Sequence, residues 1–155
     1  MRVSRLGSQW IVRLVSRGVN RLWLARGSVR LQFMHFSHLG LPVRDERCSQ
    51  QFYSAYFGFD PATAQKYPDG TVIIRNADGF DLALHPVGQV EPSPAFLHAG
   101  FKAAEPADLR ALMERMEADG VTIVERNDEA AYVAFKCLDP DGHRIEVYWE
   151  PLRVQ

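Results

Sequence analysis

From residue 35 onward, apolar and polar positions fall into short alternating runs, broken twice by longer stretches with helical spacing. Residues 35–43 alternate as a strand. Residues 46–57 then set Cys48, Phe52, Tyr53, Tyr56 and Phe57 at the three-to-four spacing of an amphipathic helix, and Gly58 marks its end. Three short strands are predicted next, near 62–67, 71–76 and 80–85. The turns Tyr67-Pro68-Asp69-Gly70 and Asn76-Ala77-Asp78-Gly79 separate them. The same order then returns. A strand over 95–102 precedes a helix over 106–119, whose apolar stripe is Leu109, Leu112, Met113 and Met116. Pro106 sits at its start and Gly120 just past its end. Strands near 121–126, 131–137 and 143–149 complete the second set.

The repetition extends to individual residues. Phe36-Ser37-His38-Leu39-Gly40-Leu41 and Phe96-Leu97-His98-Ala99-Gly100-Phe101 share the pattern F-x-H-x-G-apolar, 60 positions apart. Asn76-Ala77-Asp78-Gly79 and Asp139-Pro140-Asp141-Gly142 are matching turns, each entering an apolar strand, 63 positions apart. Two ordered echoes at nearly one offset indicate two related modules. Each reads β-α-β-β-β, over 35–88 and 95–151, with Val87 to Pro94 as connector. The fold class is therefore α+β, two tandem βαβββ modules in one domain over 34–155, with the faces away from the helices looking into whatever the two sheets enclose.

Charge separates this part from what precedes it. The 155 residues carry a formal charge of −1. Residues 1–33 contain seven arginines and no acid, whereas the remainder holds 11 Lys and Arg against all 19 acidic residues. The basic segment, broken by Gly7, Gly18 and Gly27, is expected to lie outside the fold, disordered or loosely helical. A targeting peptide, a basic arm and a start at Met34 are competing readings of it, the last being preferred. No aromatic-and-basic pattern recurs in the acidic part, so nucleic acid is not an expected partner. No uncharged apolar run reaches about 18 residues, so no membrane span is expected, and the expected location is cytoplasmic. Cys48 and Cys137 are too few for a disulfide scaffold and read as reduced packing residues.

Side-chain alternation places the candidate chemistry. Phe36, His38 and Gly40 share one face of the first strand, and Phe96, His98 and Gly100 share the matching face of the fifth. The helix of each module must cover the opposite, aliphatic face. In the last strand Glu146 falls between Ile145 and Val147, on the face shared with Arg144 and Tyr148. A carboxylate there is costly unless it is paired or bound to a cation. Two histidines at equivalent positions of two modules are hard to explain as packing. With Glu146 they form the donor set of an open divalent-metal site. His35 faces away from His38, and His143, just after a turn, is expected to be exposed.

The segments HLGLPVRDERCSQQFYSAYFGF, FLHAGF and CLDPDGHRIEVYWEP resemble the vicinal oxygen chelate superfamily, which includes glyoxalase I, extradiol dioxygenases, and the fosfomycin- and bleomycin-resistance proteins. The resemblance spans about residues 35–151. It implies metal ligation by His38, His98 and Glu146, with Fe(II) favoured and Mn(II), Zn(II) or Ni(II) as alternatives. It also implies a small substrate chelated through two neighbouring oxygens, and a homodimer. The four-ligand glyoxalase pattern is not met, because Ala83 stands where the fourth ligand would be. The three-ligand set resembles that of the extradiol dioxygenases, with His85 as acid/base candidate and Tyr148 or Tyr132 standing in for further catalytic groups. The alternatives are a glyoxalase-like isomerase or lyase, and a metal-free drug binder with a groove lined by Phe36, Phe96, Tyr148 and Trp149.

Overall fold

The computed structural model describes residues 2–6, 9–13 and 35–151. The basic N-terminal segment contains β1 (Arg2–Leu6) and β2 (Gln9–Arg13). They pair antiparallel, with Arg2 opposite Arg13 and Leu6 opposite Gln9. Its described part is thus a hairpin rather than a loose helix. The remainder of the expected extension, residues 1, 7, 8 and 14–33, lies outside the described residues.

The acidic part forms two modules of the expected order. Module one comprises β3 (His38–Val43), α1 (Glu46–Phe57), β4 (Phe59–Lys66), β5 (Val72–Asn76) and β6 (Asp81–Pro86). Module two comprises β7 (His98–Lys102), α2 (Pro106–Ala118), β8 (Ile123–Glu129), β9 (Tyr132–Leu138) and β10 (Arg144–Trp149). Each makes a four-stranded mixed sheet, ordered β3-β6-β5-β4 and β7-β10-β9-β8, in which the first strand runs parallel to the last. The two sheets remain separate and do not close. Both histidine strands begin at the histidine itself, so Phe36 and Phe96 precede them. No described helix is long and apolar enough to cross a membrane.

Local signals set the helix ends. Asp45 caps α1 by accepting the Arg47 and Cys48 N–H groups at 2.9 and 3.2 Å. Gly58 ends it at φ 69°, a conformation with little penalty only for glycine, and its N–H returns to the Tyr53 carbonyl. Pro106 opens α2, where its missing N–H costs no helical bond.

Both helices pack on the aliphatic faces of their sheets, and one continuous core joins the modules. Phe52, Tyr53, Phe59, Ile74 and Leu84 from module one are buried in the same cluster as Leu109, Met116, Phe135, Ile145 and Val147 from module two. Phe57 and Phe101 stack across the junction with centroids 4.5 Å apart.

A polar clasp reinforces the junction. Asp141 of the D-P-D-G turn accepts the Arg44 backbone N–H at 3.0 Å, the Arg44 Nε at 2.8 Å and the Ser49 hydroxyl at 3.2 Å. Tyr53 donates its buried hydroxyl to Asp139 at 2.8 Å. His143 donates from Nε2 to the Pro42 carbonyl at 2.7 Å and is only 8% exposed, contrary to the expectation that it faces solvent. Cys48, expected to pack, is exposed instead, while Cys137 is buried.

Because the helix-bearing faces meet in the core, the histidine faces point outward. Phe36 and Phe96 are 77% and 82% exposed, and His38, Gly40, His98 and Gly100 are exposed as well.

Candidate metal centre

The register of the two parallel strand pairs superimposes the modules residue by residue. Gly100 lies opposite Glu146 as Gly40 lies opposite Ala83, and Lys102 opposite Tyr148 as Pro42 lies opposite His85. Ala83 is therefore the counterpart of Glu146, as the sequence alignment of the two turns requires. An alanine there removes a carboxylate from module one.

The glycines of the repeated pattern make room for these side chains. A Cβ on Gly100 would come 3.6 Å from the Tyr148 ring and 3.7 Å from Glu146 Oε2. On Gly40 it would come 3.1 Å from His85 Nε2, tighter than ordinary contact. In both modules a side chain from the last strand lies across the glycine of the first.

His98 and Glu146 come together. His98 Nε2 is 3.2 Å from Glu146 Oε2, and His98 Nδ1 is 2.8 Å from the Phe96 carbonyl. A carbonyl can only accept, so Nδ1 carries a proton and the ring presents Nε2 towards Glu146. Two donors each bound at 2.0–2.2 Å to one ion stand about 3.0–3.5 Å apart, so this pair fits a divalent metal. The Glu146 side chain is 16% exposed, and its other oxygen is held from the sheet: Tyr132 donates to Oε1 at 3.4 Å, and Lys136 Nζ lies 3.8 Å away. Glu125 holds Lys136 at 3.0 and 2.9 Å, and this bond is the main cause of an ammonium pKa above the ordinary lysine value. Burial, then the neighbouring Glu146, raises the Tyr132 phenol.

His38 belongs to the other sheet, where it lies opposite Asp81. The Arg75 guanidinium grips Asp81 at 2.6 and 2.9 Å and holds its carboxyl below the usual range. His38 does not join the pair: among the described residues no three His, Cys, Asp or Glu side chains gather closely enough to hold a metal ion. The expected convergence of all three ligands within a single chain is thus not met. Its physical reason is the packing above, which buries the backs of both sheets and turns the two histidine faces to solvent.

His85 lies on the same face as His38. Its Nδ1 is 3.0 Å from the Thr71 hydroxyl, and its Nε2 lies over Gly40. Tyr148 is half-buried beside Gly100, with Lys102 Nζ 5.8 Å from its ring centroid. Trp149, considered for a groove with Tyr148, points to the opposite face and packs against the core. A groove of about 650 Å³ lies elsewhere, at the module junction, lined by Arg44, Phe52, Gln89, Val121, Asp139 and Pro140 among others. Its acidic groups already serve the clasp. Sequence reasoning passed over Lys136 and Thr71. Their signal was register: Lys136 sits directly opposite Glu146, and Thr71 continues the β5–β6 register to a position beside His85.

No curated protein matches the chain. Solved structures do. One described as a possible glyoxalase from Bacillus cereus is 29% identical, with a TM-score of 0.63 over 74% of this chain and 97% of that one. The fosfomycin resistance protein FosX of Listeria monocytogenes is 17% identical, with a TM-score of 0.66 over 77% of this chain and 96% of that one. A point mutant of the same FosX, complexed with Mn(II) and 1S,2S-dihydroxypropylphosphonic acid, is 16% identical, with a TM-score of 0.64 over 77% and 92% of the two chains. At these identities the FosX likenesses concern fold alone. The sequence model of the Glyoxalase/Bleomycin resistance protein/Dioxygenase superfamily matches residues 35–147, and the chain belongs to that superfamily.

Proposed function

We propose that this chain is a divalent-metal enzyme that chelates a small substrate through two neighbouring oxygens, with His38, His98 and Glu146 as metal ligands. The observation that carries this reading is the His98–Glu146 pair: two donor atoms 3.2 Å apart, with the histidine tautomer fixed by the Phe96 carbonyl. The Mn(II) bound in the FosX complex supports a divalent ion in this fold. Fe(II) is the favoured ion because two histidines and one carboxylate leave positions open for substrate and oxygen. Ala83 at the counterpart of Glu146 favours this three-ligand set over a four-ligand one.

The third ligand, His38, comes from a second copy of the chain. Each histidine face is exposed, and Phe96 just before His98 is exposed with it, so a module-one face of one copy laid on a module-two face of another buries both. The active form is thus a homodimer with two shared sites.

When bound, the ion supplies Lewis-acid polarisation of the substrate oxygens. The chain's own residues do the remainder. His98 and Glu146 hold their lone pairs towards one point. Tyr132 and Lys136 restrain the second oxygen of Glu146, leaving Oε2 free to ligate. His85 moves a proton at Nε2, and the Tyr148 ring walls the substrate beside Gly100. The reaction favoured is extradiol-type oxygenation of a vicinal diol on an aromatic ring.

Mn(II) titration followed by electron paramagnetic resonance tests the metal reading. Wild-type protein should bind about one ion per chain, and His98→Ala or Glu146→Gln should weaken binding at least ~10-fold. Wild-type protein that binds no Mn(II), or variants that bind it equally well, would return the metal-free binder to first place. Oxygen uptake with a catechol panel tests the reaction, and a hemithioacetal assay tests the isomerase alternative.

A further inference from the structure

We propose that Glu125 is a positioning residue for the metal site: it holds the Lys136 ammonium, which without it closes on Glu146 and competes with the ion for that carboxylate. The proposal rests on the reading of Glu146 as a metal ligand, and it adds to that reading the residue that keeps the ligand available.

Strand register sets the arrangement. Gly100, Glu146, Lys136 and Glu125 lie opposite one another in one row across β7, β10, β9 and β8. An ammonium therefore stands between two carboxylates, and one of them is the candidate ligand. A slip in the β8–β9 pairing puts the second carboxylate there. Ile123 lies opposite Cys137, but Glu125 lies opposite Lys136, so Val124 is an extra residue on the β8 side. Without the slip, Val124 would stand opposite Lys136 and the row would hold one acid. Re-aiming a side chain is a common use of such a bulge.

Distance decides which carboxylate the ammonium serves. Lys136 Nζ donates to the two Glu125 oxygens at 3.0 and 2.9 Å, whereas Glu146 Oε1 is 3.8 Å away, beyond hydrogen-bond length. The Tyr132 hydroxyl is nearer to that oxygen, at 3.4 Å. Glu125 thus neutralises the ammonium, and Glu146 keeps its own charge for a cation at Oε2, beside His98. A charge-assisted N–H···O bond closes at about 2.8 Å, so a shift of roughly 1 Å brings Nζ onto Glu146. The flexible four-carbon stem of lysine permits that shift. The Lys136 and Glu146 side chains are 17% and 16% exposed, so water screens their attraction weakly. Once Glu125 carries no charge, a divalent ion has to displace an ammonium from the carboxylate that ligates it. The Glu125 side chain itself is 62% exposed, and an ion pair made from such a position contributes little to folding stability. Its effect is therefore read at the metal and not in the fold.

Mn(II) titration of the full-length protein, followed by electron paramagnetic resonance, tests the assignment, with thermal melts as the control for folding. Glu125→Gln keeps the size of the side chain and removes its charge. It should melt as the wild type does and bind Mn(II) about 10-fold more weakly, the low end of what losing an outer-shell partner costs. Adding Lys136→Met removes the competing ammonium and should return most of the lost affinity, whereas damage to the strand pairing would deepen the loss. A Glu125→Gln protein that binds Mn(II) as tightly as the wild type overturns the role of Glu125 and leaves Glu146 a ligand. A double variant as weak as Glu125→Gln does the same. Wild-type protein that binds no Mn(II), or Glu146→Gln that binds it as tightly as the wild type, overturns the ligand reading itself and this inference with it.

Discussion

Replacing Tyr53 with phenylalanine removes one oxygen from the centre of the molecule and isolates the energetics of the module junction. Tyr53 is 1% exposed and packs edge-on against Phe52 and Phe59 with centroids 5.3 and 6.0 Å away. The ring stays in Tyr53→Phe, so no cavity opens. What is lost is a 2.8 Å hydrogen bond to Asp139 Oδ2. Asp139 is itself 5% exposed, and its other oxygen accepts the Asp141 and His143 N–H groups at 2.9 and 2.8 Å. No water replaces the phenol, so the carboxylate keeps its desolvation cost and loses a partner. A hydrogen bond to a charged group contributes roughly 1.5–3 kcal/mol, which is the expected loss. For a domain of this size that lowers the melting temperature by about 4 °C per kcal/mol. Urea denaturation followed by far-ultraviolet circular dichroism measures it, with the slope m unchanged because the buried surface is unchanged. Asp139→Asn and the double variant complete a cycle, in which the two losses should be strongly non-additive. A Tyr53→Phe loss under about 0.5 kcal/mol, or additive losses, would refute the argument that this bond joins the modules.

Two further outcomes follow from the same clasp and core. Burial alone would raise the Asp141 carboxyl, but bonds from the Arg44 side chain and backbone and from Ser49 outweigh it and leave the pKa below the ordinary value. A depressed native pKa gives stability that is complete above the unfolded value of about 3.9 and lost as pH falls through the native one. Asp141→Asn should therefore flatten the stability loss below about pH 4, seen in urea melts from pH 3 to 7; an unchanged acid limb would contradict this. Burial, reinforced by Asp139, pushes the Cys137 thiol up to about 12, whereas Cys48 is exposed. A thiol reagent at pH 7.5 should label one cysteine in the native protein and two in urea, with peptide mapping assigning the native label to Cys48; rapid native labelling of Cys137 would be inconsistent with this core.

Most of the architecture was legible from residues 35–151 because it is written twice. The F-x-H-x-G pattern located both first strands, and the matched turns fixed the register that puts Ala83 where module two has Glu146. Strand alternation correctly put His38, His98 and Glu146 on the faces away from the helices. It could not tell what those faces meet. That depends on how the modules pack, and the packing rests on long-range pairs such as Arg44–Asp141 and Tyr53–Asp139, 97 and 86 positions apart. His143 shows the same gap. A histidine after a turn reads as exposed, and only the Pro42 carbonyl 101 positions away makes it a buried donor. The N-terminal glycines argued against a helix, yet no alternation in that segment pointed to the hairpin of β1 and β2.

The central claim is a metal site assembled from His38 of one copy and His98 with Glu146 of another. Mixing two inactive homodimers tests it most directly. His38→Ala and His98→Ala proteins, each impaired in Mn(II) binding alone, are unfolded together, refolded and titrated. In the resulting mixed dimers one site combines both altered ligands, and the other has all three native ones. The account predicts that the mixture regains about one tight Mn(II) site per mixed dimer, while neither protein refolded alone regains any. A mixture that binds no better than its components would contradict a shared site, as would a wild-type chain that binds Mn(II) at full strength while sedimenting as a monomer.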